Sequence, residues 1–214
     1  MTNAYNKKGS QFFKAIKKLV KNEQKENCDV LFKTLDRISL KEGVHLGLKV
    51  AVHEGMGDES SFYTFKENDD TNKDMAPHLF TLEPIPSFLP DLKVEKTEMG
   101  AWQVYLLYMS PTVLPWFWHG GYIKREYFFN LPDAGKTKIE PFHAESPLMI
   151  PINEIPEPTI TAEDDKFIVS CTYWNDWEGL VRETVSIKFL KSGDVKILKP
   201  HFKVLRAYDC GICF

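Results

Sequence analysis

A chain of 214 residues, 43% hydrophobic and 27% charged, falls in the range of one ordinary globular domain and far from the regime of disorder. Its net charge of −3 offers no Lys/Arg excess for phosphate contacts, so nucleic acid is not an expected partner. With four cysteines, no N-terminal signal-type apolar stretch and no apolar run near the ~18 residues of a membrane span, it is expected to be a cytoplasmic protein without a span.

The first 25 residues carry seven lysines and one acid. Ser10 is a suitable N-cap, and Phe12, Phe13, Ile16, Leu19 and Val20 recur at helical spacing, which predicts a helix over 10–22. Continued in phase, the stripe would include Glu23 and Asn27, so a break and a second short helix follow, with a stripe of Cys28, Leu31, Phe32, Leu35 and Ile38. The lysine-rich helix can bind an anionic surface, or cover a sheet with its apolar stripe and leave its lysines in water.

After Gly43 the period becomes two: Val44, Leu46, Leu48, Val50 and Val52 alternate with His45, Gly47, Lys49, Ala51 and His53, the pattern of a half-buried strand. Further strands are predicted near 61–66, 79–83, 101–109, 122–129, 166–174, 180–190 and 195–205. Without helical crossovers between them, these strands should pair antiparallel. In 180–190, Val181, Glu183, Val185, Ile187 and Phe189 share one face, and Lys191-Ser192-Gly193-Asp194 makes a hairpin turn into a C-terminal meander. Segments 66–78 and 131–158 read as long loops, the second rich in proline. The expected fold is therefore α+β: two short N-terminal helices packed on a largely antiparallel, meander-rich sheet. It is read as one domain over 1–214, helical in 1–42 and sheet with long loops in 43–214.

Cys210-Gly211-Ile212-Cys213, with His201 upstream, has the spacing to wrap zinc or close a local disulfide. A structural zinc needs four ligands and no second CxxC exists, so packing of small apolar side chains is the favoured reading and no cofactor is expected. His45 and His53 lie on one strand face but ~26 Å apart at ~3.3 Å per residue, too far to share an ion, and with Lys49 between them they read as a solvated face. His119-Gly120-Gly121 is not accompanied by GxSxG, and neither GxGxxG nor a Walker loop is present.

Trp116-Phe117-Trp118 lies between Pro115 and a Gly-Gly pair, where three successive rings cannot all point inward. Trp174-Asn175-Asp176-Trp177 is a second aromatic turn in an acid-rich stretch. Exposed rings at loops mark binding surfaces, so Trp116, Phe117, Trp118, Trp174, Asp176 and Trp177 are the candidate binding residues. The expected function is a protein-binding or regulatory module, for example of the toxin-neutralising type. The alternative is a hydrolase or carbohydrate-active protein with a site dispersed over loops, for which Asp176 and Glu178 would be the carboxylate pair.

Overall fold

The computed structural model describes residues 4–21, 27–53, 57–66, 80–81, 87–114, 120–129, 131, 135–141 and 144–211. In chain order, α1 (Ala4–Lys21) is followed by a 3-10 turn at Asp29–Lys33. Then come β1 (Ile38–Leu40), β2 (His45–His53), β3 (Gly57–Phe65), β4 (Phe80–Thr81) and β5 (Leu92–Val94). After these stand α2 (Glu98–Met109), a 3-10 turn at Ser110–Val113, the single-turn α3 (Gly120–Ile123) and β6 (Glu126–Tyr127). The C-terminal half holds β7 (Lys136–Ile139), β8 (Leu148–Pro151), β9 (Thr159–Glu163), β10 (Lys166–Asn175), β11 (Gly179–Phe189), β12 (Val195–Ile197) and β13 (His201–Arg206).

Helix, strand and mostly antiparallel pairing give an α+β fold. The expectation of two N-terminal helices is corrected. Helix α1 does bury Phe12, Phe13, Ile16 and Leu19 in the main core with Lys14, Lys17 and Lys18 in solvent. The second is only a 3-10 turn, because tertiary ties at its start outweigh its helical periodicity. Asp29 accepts from the Leu46 amide at 2.8 Å and holds His45 Nδ1 at 2.7 Å, while the Cys28 amide donates to the Leu46 carbonyl. His45 is therefore tied to Asp29 and only partly exposed, and Lys49 is buried, so the two do not form a solvated face.

The largest correction is at 101–109, which is not a strand but the body of α2. Thr97 caps it, its hydroxyl accepting from the Gly100 amide at 3.0 Å, and Pro111 follows its end. Trp102, Val104, Tyr105, Leu106 and Leu107 are all fully buried. From Gly100 to Leu107 the helix is apolar on nearly every side because it is packed on nearly every side: α1, β1, β5 and the β9–β11 sheet all contact it. The strand expected over 122–129 reduces to α3 and β6. Pairing is not uniformly antiparallel either, since β4 runs parallel to β2. The loop expected over 131–158 contains the β7–β8 hairpin, whereas the 66–78 loop, apart from Lys66, lies outside the described residues.

The meander is present. β9, β10 and β11 pair consecutively, and β12 and β13 pair in turn along β11, interrupted at Leu198–Pro200. Gly193, with φ 89°, closes the β11–β12 hairpin. The β10–β11 pair has two buried faces. Phe167, Val169 and Cys171 with Val185 and Ile187 pack towards α2 in the main core, and Trp174 and Leu180 pack beneath the β7–β8 hairpin with Ile139, Ile150 and Ile155. No described helix is long and apolar enough to cross a membrane.

Candidate functional site

Alternation along β11 puts Glu183 on the apolar face between Val181 and Val185, opposite Cys171 of β10. The carboxylate is wholly buried, and an unpartnered charge there would cost several kcal/mol. Three side chains satisfy it. Tyr105 of α2 donates to Oε2 at 2.9 Å, Arg125 Nη1 donates to Oε1 at 2.9 Å, and Tyr127 of β6 donates to Oε2 at 3.4 Å. Arg125 is fixed from the other side too: its amide donates to the Thr112 carbonyl at 3.0 Å, and its guanidinium lies over the rings of Tyr173 at 4.4 Å and Phe202 at 5.5 Å.

Burial is the leading influence on this cluster and raises the Glu183 carboxyl above its ordinary pKa, although Arg125, Tyr105 and Tyr127 pull it down. Burial likewise pushes up the Tyr105 and Tyr173 phenols, and lifts the Cys171 thiol to about 12. Burial opposes the Arg125 cation, but Tyr127 and Glu183 outweigh it and hold its pKa above the ordinary value. A buried, fully hydrogen-bonded ion pair of this kind is a rigid fixture.

The cluster forms part of the floor of a cleft of about 460 Å³, within the range of ligand-binding pockets. Its other polar lining includes Asn175, Glu178, Ser60 and Ser61. A tight turn places Glu178: its amide donates to Asn175 Oδ1 at 2.6 Å, and its carboxylate accepts from Asn175 Nδ2 at 2.8 Å and the Tyr173 hydroxyl at 3.2 Å. Gly179 closes that turn at φ 91°, where a Cβ would run into the Arg206 carbonyl. The buried Ser60 Oγ has no hydrogen-bond partner among the described residues.

Four large apolar side chains line the same cleft from four separate segments: Tyr108 at the end of α2, Ile123 in α3, Trp177 in the turn and Phe202 on β13. They are 38%, 48%, 47% and 50% exposed. These account for half of the large apolar side chains that stand exposed among the described residues, so the clustering is not a random scatter of surface hydrophobics.

Of the sequence-derived binding residues, Trp177 lines this cleft. Trp174 and Asp176 are both buried and bond each other, Trp174 Nε1 donating to Asp176 Oδ1 at 2.6 Å, while the Trp174 ring meets Tyr208 at 5.1 Å. Both side chains face inward at the turn. Trp116, Phe117 and Trp118 lie outside the described residues, as does Cys213. Cys210 is partly buried and His201 is exposed on β13. Among the described residues, no group of three or more His, Cys, Asp or Glu side chains could share a metal ion. Tyr108, Arg125 and Phe202 were not singled out by any spacing. Glu183 carried one signal, an acid on an otherwise apolar strand face. No family model, curated protein or solved structure matches this chain.

Proposed function

We propose that this protein is a recognition module that captures a polypeptide partner by seating an apolar side chain of that partner in the cleft. The observation that carries the reading is the convergence of Tyr108, Ile123, Trp177 and Phe202, all half exposed, above a floor fixed by Arg125 and Glu183. Aromatic side chains around a preformed pocket supply contact area at low entropic cost and are favoured anchors of protein interfaces. The two cleft cations, Lys124 and Arg125, balance the two cleft carboxylates, Glu178 and Glu183, so apolar contact should dominate at the rim.

Hydrolysis of a glycosidic bond is a second reading, favoured because Glu178 and Glu183 share a cleft with aromatic rings, the parts such a reaction uses. It ranks second because Glu183 is already committed to Arg125, Tyr105 and Tyr127. The two separate by experiment. In native mass spectrometry of the protein isolated gently from its own cells, a stoichiometric extra polypeptide is expected. That polypeptide should be lost from a Trp177→Ala/Phe202→Ala double variant whose melting temperature is kept. Retention of the polypeptide by the folded double variant contradicts the cleft reading. Turnover of a chromogenic glycoside that disappears in Glu178→Gln would install the hydrolase reading in its place.

A further inference from the structure

We infer that the partner is held by strand addition: an extended segment alternating acidic and apolar residues pairs along the outer edge of β13 and places its apolar side chains in the cleft. This rests on the cleft being the partner's site and adds the backbone geometry and the partner's charge.

Two sheet edges contribute to the cleft lining. Pro200 and Phe202 come from the β13 side, and Ser60 and Ser61 come from β3, the end strand of the β3–β2–β4 sheet. Among the described strands β13 pairs only with β11, and His201, Phe202, Lys203 and Val204 are all exposed. An edge strand with unused backbone N–H and C=O groups is a template for another strand. Lysine on an edge commonly guards against such pairing, and the register shift against Leu180/Val181 shortens the regular stretch to 201–204. Guarding alone does not account for Phe202, which lines the cleft, or for Val204 two residues on along the same face, 50% and 49% exposed.

Charge selects the occupant. The stretch 195–206 carries Lys196, Lys199, Lys203 and Arg206 with no acid, in a chain of net charge −3. Self-pairing of two β13 edges would bring basic side chains together, which disfavours a second copy of this chain. An added strand of period two places alternate residues against Phe202 and Val204 and the intervening ones beside His201 and Lys203. Acids at the intervening positions match that second face.

The test uses the full chain and a short acetylated peptide alternating glutamate with valine or phenylalanine. Two controls accompany it: the same peptide with lysine for glutamate, and the same peptide N-methylated at alternate residues. Binding of the acidic peptide alone is expected, with amide hydrogen exchange at 201–204 slowed at least about tenfold and affinity falling about tenfold in Lys203→Glu. Equal binding of the N-methylated peptide, or binding that leaves the β13 amides unprotected, overturns strand addition while leaving the cleft reading intact. Failure of the acidic peptide to bind a protein that still captures its own partner through Trp177 and Phe202 also overturns it. If that capture is independent of both residues, the cleft reading itself is the one that fails.

Discussion

Arg182 and Glu183 are neighbours in β11 and face opposite ways, and the half-buried cation and the fully buried carboxylate are handled differently. Arg182 spends its guanidinium on the chain itself: Nη1 donates to the carbonyls of Pro156 and Glu157 at 3.1 and 2.9 Å and to the Thr172 hydroxyl at 3.0 Å, and Nη2 donates to the Thr159 hydroxyl at 3.1 Å. It works as a clamp that ties the approach to β9 onto the sheet. Among the described residues Glu183 is satisfied by side chains alone, from α2, β6 and the segment after α3, and Arg125 and Glu183 line a cleft. A charge that bonds backbone secures the fold, whereas one that gathers side chains from separate elements shapes a surface.

That contrast is broken most forcefully at Glu183. Glu183→Ala leaves Arg125 with an uncompensated charge and should cost about 3–5 kcal/mol in urea unfolding. Glu183→Gln, which keeps acceptor capacity, should cost clearly less. Arg182→Ala should cost about 1–3 kcal/mol through its lost carbonyl contacts and speed amide exchange around 156–159, with partner capture unchanged once the protein is folded. Loss of capture in the folded Arg182 variant would erase the distinction between clamp and surface.

The rim gives a smaller effect on stability and a larger one on binding. Trp177→Ala and Phe202→Ala should each shift unfolding by no more than about 1 kcal/mol, being half exposed, yet weaken capture at least about tenfold. The smallest effect lies in pH. The folded pKa of Glu183 is raised above its unfolded value, so the unfolded chain releases this proton first. Wild-type stability relative to Glu183→Gln should therefore fall as pH rises from about 4.5 through the folded pKa. Arg182 contributes no such slope, as a guanidinium stays protonated across this range. Parallel stability curves for wild type and Glu183→Gln over that window would contradict the placement of Glu183.

Legibility of the sequence followed the same physical divide. The β10–β11 pair and its hairpin into β12 were readable because each strand alternates and Gly193 marks the turn. α2 escapes the period test because a helix packed on nearly every side has no polar stripe, so Trp102 to Leu107 carries no period. Its cap at Thr97 was the usable signal. The β7–β8 hairpin was hidden by the prolines around it. At the site, Glu183 was visible as an acid on an apolar face, but Arg125 comes from 58 residues earlier, and no spacing in the chain joins them. Trp174 and Trp177 look equivalent in sequence; only the geometry of the turn, set by Asn175 and Gly179, sends one ring inward and the other to the cleft.

The most direct test of the cleft as the capture surface is site-specific photo-crosslinking in the cells that make the protein. A benzophenone amino acid would be placed at Trp177 in one variant and, in another, at Met149, an equally exposed side chain on the hairpin over the opposite face. A single polypeptide crosslinked from position 177 and not from 149 is the predicted result. Crosslinking from 149 alone, or the same product from both positions, would contradict the assignment of the cleft.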